Sequence, residues 1–143
     1  MTDRSLRVAR TAAGLLLTLS AIALSGCTAF STGYAVLDRE AEPADALPDA
    51  VAAQYSVDDA DLSSARFVGE HSGSSIWLLH GADEGTICVL AHLDETAGGM
   101  ACGGERGPIG MSGPAGHFMV VPDDYPTPDG ATRISDNVYA LSP

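Results

Sequence analysis

The spacing of apolar and polar positions divides the chain into three stretches. Ala12 to Leu24 (AAGLLLTLSAIAL) is an uncharged, Leu- and Ala-rich run of 13 residues. From Thr28 to about Asp61 apolar residues are scattered among Ala, Asp, Glu, Pro and Ser. Such a stretch buries too little to order itself, so most of it is expected to act as a flexible tether. One part of it has helical spacing. Leu47, Val51 and Tyr55 recur at i, i+4, i+8 around PDAVAAQY, predicting a short helix over 48–55 with Pro48 at its start. Ser56 to Asp61 is expected to be a capped turn leading into the first strand.

After Leu62 the period changes to that of β structure. Ser64–His71, Ser75–His80 and Thr86–His92 are predicted strands. The last two should form a hairpin across a five-residue loop, Gly81 to Gly85, pairing His80 with Thr86, Leu78 with Cys88 and Trp77 with Val89. Both faces of these strands are apolar, which places them centrally in a sheet. Met100–Gly103 is expected to return as a fourth strand, with His117–Val121 and Asp136–Leu141 closing the fold. Gly98 to Gly116 holds eight glycines in 19 residues and is expected to be mostly turns and irregular loop. The predicted class is mainly β: a small antiparallel meander folding into a sandwich or half-barrel, with a short N-terminal helix. The implied organisation is an export segment over 1–26, a tether over 27–61 and a β domain over 62–143.

Composition narrows the function classes. All seven basic residues are Arg, so Schiff-base chemistry and a P-loop lysine are excluded. Arg4, Arg7 and Arg10 precede the apolar run, which is too short for the roughly 18–20 residues that cross a bilayer and fits a signal peptide. From residue 27 onward there are 18 acids and 4 Arg, a formal charge of −14. That surface repels phosphate backbones and argues against nucleic-acid partners.

Directly after the apolar run comes Leu24-Ser25-Gly26-Cys27, which resembles the lipobox of bacterial lipoproteins. The resemblance implies a diacylglyceryl thioether on Cys27, removal of the first 26 residues, and attachment to the extracytoplasmic face of the cell membrane. Two acyl chains suffice for durable anchoring where one does not. Two other routes are open to the same N-terminus. Cleavage after Ala21-Ile22-Ala23 would release a soluble protein, and an uncut signal would span the membrane, since no residue from Thr11 to Leu37 is charged. All three export the remainder. The arrangement of strands from Ser64 to Leu141 also resembles small exported β-rich domains of Ala- and Arg-rich bacterial proteins, which carry no activity to transfer.

With Cys27 lipidated, Cys88 and Cys102 remain, and an oxidising exterior favours a disulfide between them. Neither Cys-x-x-Cys nor close His/Cys spacing supports a redox or metal role. The closest approach to a serine-hydrolase elbow is Gly110-Met-Ser112-Gly-Pro114, in which Pro occupies the final position. His71, His80, His92 and His117 lack the zinc-protease motif, and His80 and His92 fall at opposite ends of the predicted hairpin. Asp58, Asp59 and Asp61, and Asp123, Asp124 and Asp129, depart from calcium-loop spacing and read as acidic turns. Trp77 reads as core rather than a sugar platform. No catalytic residue, metal ligand or cofactor site is assigned. The expected function is a non-enzymatic binding or structural module, its partners the membrane through Cys27 and a basic envelope protein. An envelope hydrolase and a small-ligand or metal carrier are the alternatives.

Overall fold

Residues 33–143 are described by the computed structural model. Cys27 and the export segment lie outside the described residues. Two short helices, α1 (Ala35–Asp38) and α2 (Asp49–Ala52), precede eight strands: β1 (Arg66–His71), β2 (Ser74–His80), β3 (Thr86–Asp94), β4 (Ala97–Gly104), β5 (Ile109–Gly113), β6 (Gly116–Val120), β7 (Thr132–Arg133) and β8 (Val138–Ala140). They form two antiparallel four-stranded sheets ordered β1-β2-β3-β4 and β5-β6-β8-β7. The sheets make a small sandwich, one of the two architectures expected, a sandwich or a half-barrel.

β2 and β3 are central, and each of their faces buries a separate cluster. Ile76, Leu78, Ile87, Val89 and Ala91 point toward the second sheet and meet Ile109, Met111, Phe118, Val120, Val138 and Ala140. Trp77, Leu79, Cys88 and Leu90 point the other way and are covered by Val51, Ala60, Ala65 and their neighbours. The apolar character of both strand faces thus has a physical cause: one is the inside of the sandwich, the other lies under the N-terminal segment.

The β2–β3 register departs from the sequence expectation by one residue. Trp77 opposes Leu90, Leu78 opposes Val89, Leu79 opposes Cys88 and His80 opposes Ile87. The loop is shorter than expected. The Gly81 N–H donates to the Thr86 carbonyl at 2.8 Å, which leaves only Ala82 to Gly85 in the loop, and Gly85 takes a left-handed φ of +74°. A side chain on Gly81 would put Cβ 2.5 Å from Thr86 Cγ2, so the pairing depends on glycine there. A one-residue slip exchanges the faces of a strand, and with both faces apolar the pattern alone could not exclude it.

In the glycine-rich segment the expected fourth strand over Met100–Gly103 is present and longer, and the correction concerns the remainder, which is more regular than turns and loop. Gly98 to Gly104 lies within β4, paired to β3 from His92 to Thr86, and Gly110 and Gly113 lie within β5. Glycine serves close approach here. A Cβ on Gly99 would stand 3.0 Å from Met111 Cε, and one on Gly103 2.9 Å from Ile109 Cγ1. The bare backbone of β4 lets the side chains of β5 pack onto it.

The stretch expected to be a tether joins the folded body from Gly33 onward. Tyr34 and Leu37 enter the sandwich core, and Val51 and Ala60 cover the outer face of the first sheet. The predicted helix over 48–55 is shorter, Asp49–Ala52, but Leu47, Val51 and Tyr55 all face the same cluster, as their spacing requires. Isolated apolar residues separated by turns suffice because each fills a place on a sheet face that is already apolar.

Candidate functional site

Cys88 and Cys102 are directly opposed on β3 and β4 and form the expected disulfide, with Cα atoms 4.0 Å apart. Cys88 is fully buried and Cys102 exposed, so the bond runs from the core to the surface of an edge strand. Both sulfurs are thereby engaged in the cross-link.

The candidate residues of the histidine and serine readings are mostly dispersed. His80 and His92 sit at opposite ends of the β2–β3 pair, as expected. Ser112 and His117 are cross-strand partners on β5 and β6, and Ser112 Oγ lies 3.1 Å from His117 Nδ1. The sequence placed Ser112 in a loop and so missed this contact. Both side chains are exposed on the outside of the second sheet, where water competes for every bond they make. Among the described residues, no group of three or more His, Cys, Asp or Glu is positioned to hold a metal ion. Trp77 is 5% exposed and packs edge-on against Phe67 with ring centroids 5.6 Å apart, which makes it core.

Two acidic side chains organise the N-terminal segment: Asp45, which the sequence did not single out, and Asp123, expected only as part of an acidic turn. Asp45 is 3% exposed. Its carboxylate accepts from both terminal nitrogens of Arg39 at 2.6 Å, from Glu42 N–H at 2.7 Å and from Phe67 N–H at 2.9 Å. The Arg39 guanidinium, aided by those backbone donors, holds the Asp45 carboxyl well below the usual carboxylate range despite burial. The fourth bond blocks part of the open edge of β1. Asp123 is the second organiser. Its carboxylate accepts from Ala35 N–H at 2.7 Å and from the Asn137 side-chain amide at 2.9 Å, while its own N–H donates to Gly33 O at 2.6 Å. Its charge and the surrounding burial push the Tyr34 phenol up to about 12, burial being the larger cause. The expected acidic turn at Asp123 is thus a latch that seats residues 33–35.

The most distinctive surface is at one end of the sandwich. The Ser56–Asp61 turn is joined to the β2–β3 loop by an Ala60–Gly81 bridge, and the N–H groups of Ala82 and Asp61 donate to Asp59 O and His80 O. On the other side of that loop, Glu105 N–H donates to Gly85 O at 2.9 Å. These backbone bonds gather Asp58, Asp59, Asp61, Asp83, Glu84 and Glu105 around one loop. An open hollow of about 970 Å³ lies beside it, lined by Gly33, His80, Asp83, Glu84, Glu105 and Arg106 among others. Shallower depressions bearing Asp58 and Asp59, and Asp61, flank it. Asp61 is further committed to its own turn: Ser63 O–H and N–H donate to it at 2.6 Å and 3.0 Å and hold its carboxyl below the ordinary value. The remaining carboxylates face solvent, with Arg106 as the cation beside them. Sequence reading found the acids but not their convergence, which depends on a bridge 21 residues apart between Ala60 and Gly81.

Among the described residues, no helix is long and apolar enough to cross a membrane. No protein-family model matches the chain, and searches of curated proteins and of solved structures return no significant match.

Proposed function

We propose that this chain is a lipoprotein of the bacterial cell envelope, held at the extracytoplasmic face of the membrane by a lipid on Cys27, whose sandwich is a non-enzymatic binding module for a basic envelope protein. The observation that carries the binding part is the convergence of carboxylates from the Ser56–Asp61 turn, the β2–β3 loop and Glu105 on one end of the fold. Complementary charge raises the encounter rate and selects against acidic partners. The anchor rests on Leu24-Ser25-Gly26-Cys27 and the apolar run before it.

The test uses full-length protein purified from membranes, immobilised, and challenged with an envelope extract. The reading expects a basic protein to be retained at low salt and released as ionic strength rises, because exposed charges are screened over about 8–10 Å near physiological salt. Replacing Asp58, Asp59, Asp83 and Glu84 by their amides should abolish retention. Retention that survives both salt and the amide variant would overturn the charge-based reading.

The hydrolase alternative has one observation in its favour, the Ser112–His117 contact at 3.1 Å. It requires an activated Ser112 Oγ, so an active-site-directed fluorophosphonate would label wild type but not Ser112→Ala. Equal labelling of the two would remove that alternative.

A further inference from the structure

The latch at Asp123 fixes the position of Gly33 on the folded body, and with it the greatest distance from that point at which Cys27 can lie. Asp123 N–H donates to Gly33 O, Ala35 N–H donates to Asp123 Oδ2, and Tyr34 between them is fully buried. Gly33 also lines the acidic hollow together with Glu84, Glu105 and Pro122. The chain therefore enters the body at the rim of its acidic end. From Cys27 to Gly33 there are six Cα–Cα steps. Whatever path they take, at about 3.3–3.6 Å each they reach at most about 22 Å. A leash running to Leu62 would reach about 120 Å by the same arithmetic.

We infer that the domain is held close to the bilayer by this short leash with its acidic end, marked by Gly33, Glu84 and Glu105, as the membrane-proximal end. The far end carries the β1–β2 and β3–β4 turns. Glu84 and Glu95 are separated by the length of β3, nine residues, or about 30 Å at the usual rise of a strand. Repulsion between the acidic end and anionic head groups does not reverse this order. It decays over about 8–10 Å, well inside the reach of the leash. A partner for the acidic end would then have to be met within a few tens of ångströms of the lipid surface, which selects juxtamembrane segments over targets farther out in the envelope. The inference rests on the lipoprotein reading.

The experiment uses full-length acylated protein purified from membranes, carrying a fluorophore on Glu84→Cys or on Glu95→Cys and reconstituted into vesicles with a quencher attached to the lipid head group. Intact mass of the same preparations reports the acyl chains. The expected result is loss of intensity for the label at position 84 and little change at position 95. A long Gly/Ser insert between Thr32 and Gly33 should abolish the difference. Acylated protein with equal quenching at the two positions would overturn the inference and leave the lipoprotein reading standing. Protein without acyl chains would overturn both.

Discussion

Replacing Asp45 by Ala should destabilise the domain by about 3 kcal/mol. The carboxylate is 3% exposed and accepts four hydrogen bonds, two from Arg39 and one each from Glu42 and Phe67 N–H. Hydrogen bonds to a charged group contribute about 1.5–3 kcal/mol each when shielded from water. The Arg39 side chain is 35% exposed, so its pair is discounted toward the range of about 0–1 kcal/mol for a solvated ion pair. Glu42 N–H can turn to water, whereas half-buried Phe67 N–H loses its partner on the edge of β1. Together these leave about 3 kcal/mol, at the low end of the cost of breaking a buried pair. Urea unfolding followed by fluorescence of Trp77, the single tryptophan, is a direct assay because Trp77 lies on the sheet face that the N-terminal segment covers. For a denaturant slope of about 1.5 kcal/mol/M the midpoint should fall by about 2 M. A loss under about 0.5 kcal/mol would refute the reasoning, since that is the cost expected of an exposed residue in a tether. The acid side supplies a second arm. The folded-state carboxyl titrates below its ordinary value of 3.8, so its contribution is present above that value and is lost as pH falls through the depressed one. Asp45→Ala should therefore lower stability at neutral pH and flatten its decline in acid.

Four further outcomes follow from the same structure. Reducing Cys88–Cys102, which spans 14 positions, should lower stability by about 3 kcal/mol on chain-entropy grounds, read as a urea midpoint with and without reductant; an unchanged midpoint would contradict it. Gly116→Ala should cost about 2 kcal/mol or more, because φ is +132° and the new Cβ would stand 2.7 Å from Phe118 Cζ; Gly107→Ala, with open space around it, should change little in the same assay. Tyr34→Phe should be neutral or stabilising by about 1 kcal/mol, since the buried hydroxyl has no hydrogen-bond partner among the described residues. The raised phenol makes wild type lose stability as pH climbs from 10 toward about 12, and Tyr34→Phe should resist that loss in alkaline melts.

Much of the fold was legible because burial on a strand leaves a two-residue period. Ile76, Leu78 and Trp77, Leu79 announced a central strand, and the segments Ser75–His80 and Thr86–His92 match β2 and β3 closely. Register was not legible, since slipping a strand with two apolar faces leaves the pattern unchanged, and the close Gly81–Thr86 approach that accompanies the observed register leaves no mark in that pattern. Glycine density was misleading for a related reason. Gly99 reads as a turn former in isolation, yet it is a strand residue whose missing side chain admits Met111, as that of Gly103 admits Ile109. The N-terminal segment has the pattern of a tether because its apolar residues are sparse, and nothing local marks Asp45 or Asp123 as organising groups. Their partners Phe67 and Ala35 lie 22 and 88 positions away. The acidic residues themselves were legible, but their gathering on one end required the Ala60–Gly81 bridge.

Intact mass of protein purified from the membrane fraction tests the central proposal most directly. The account predicts a mass for Cys27 onward plus acyl chains, rising by about two daltons when reduction adds two hydrogens to the Cys88–Cys102 disulfide. A mass equal to the uncut chain, or to an unacylated mature chain, would contradict it.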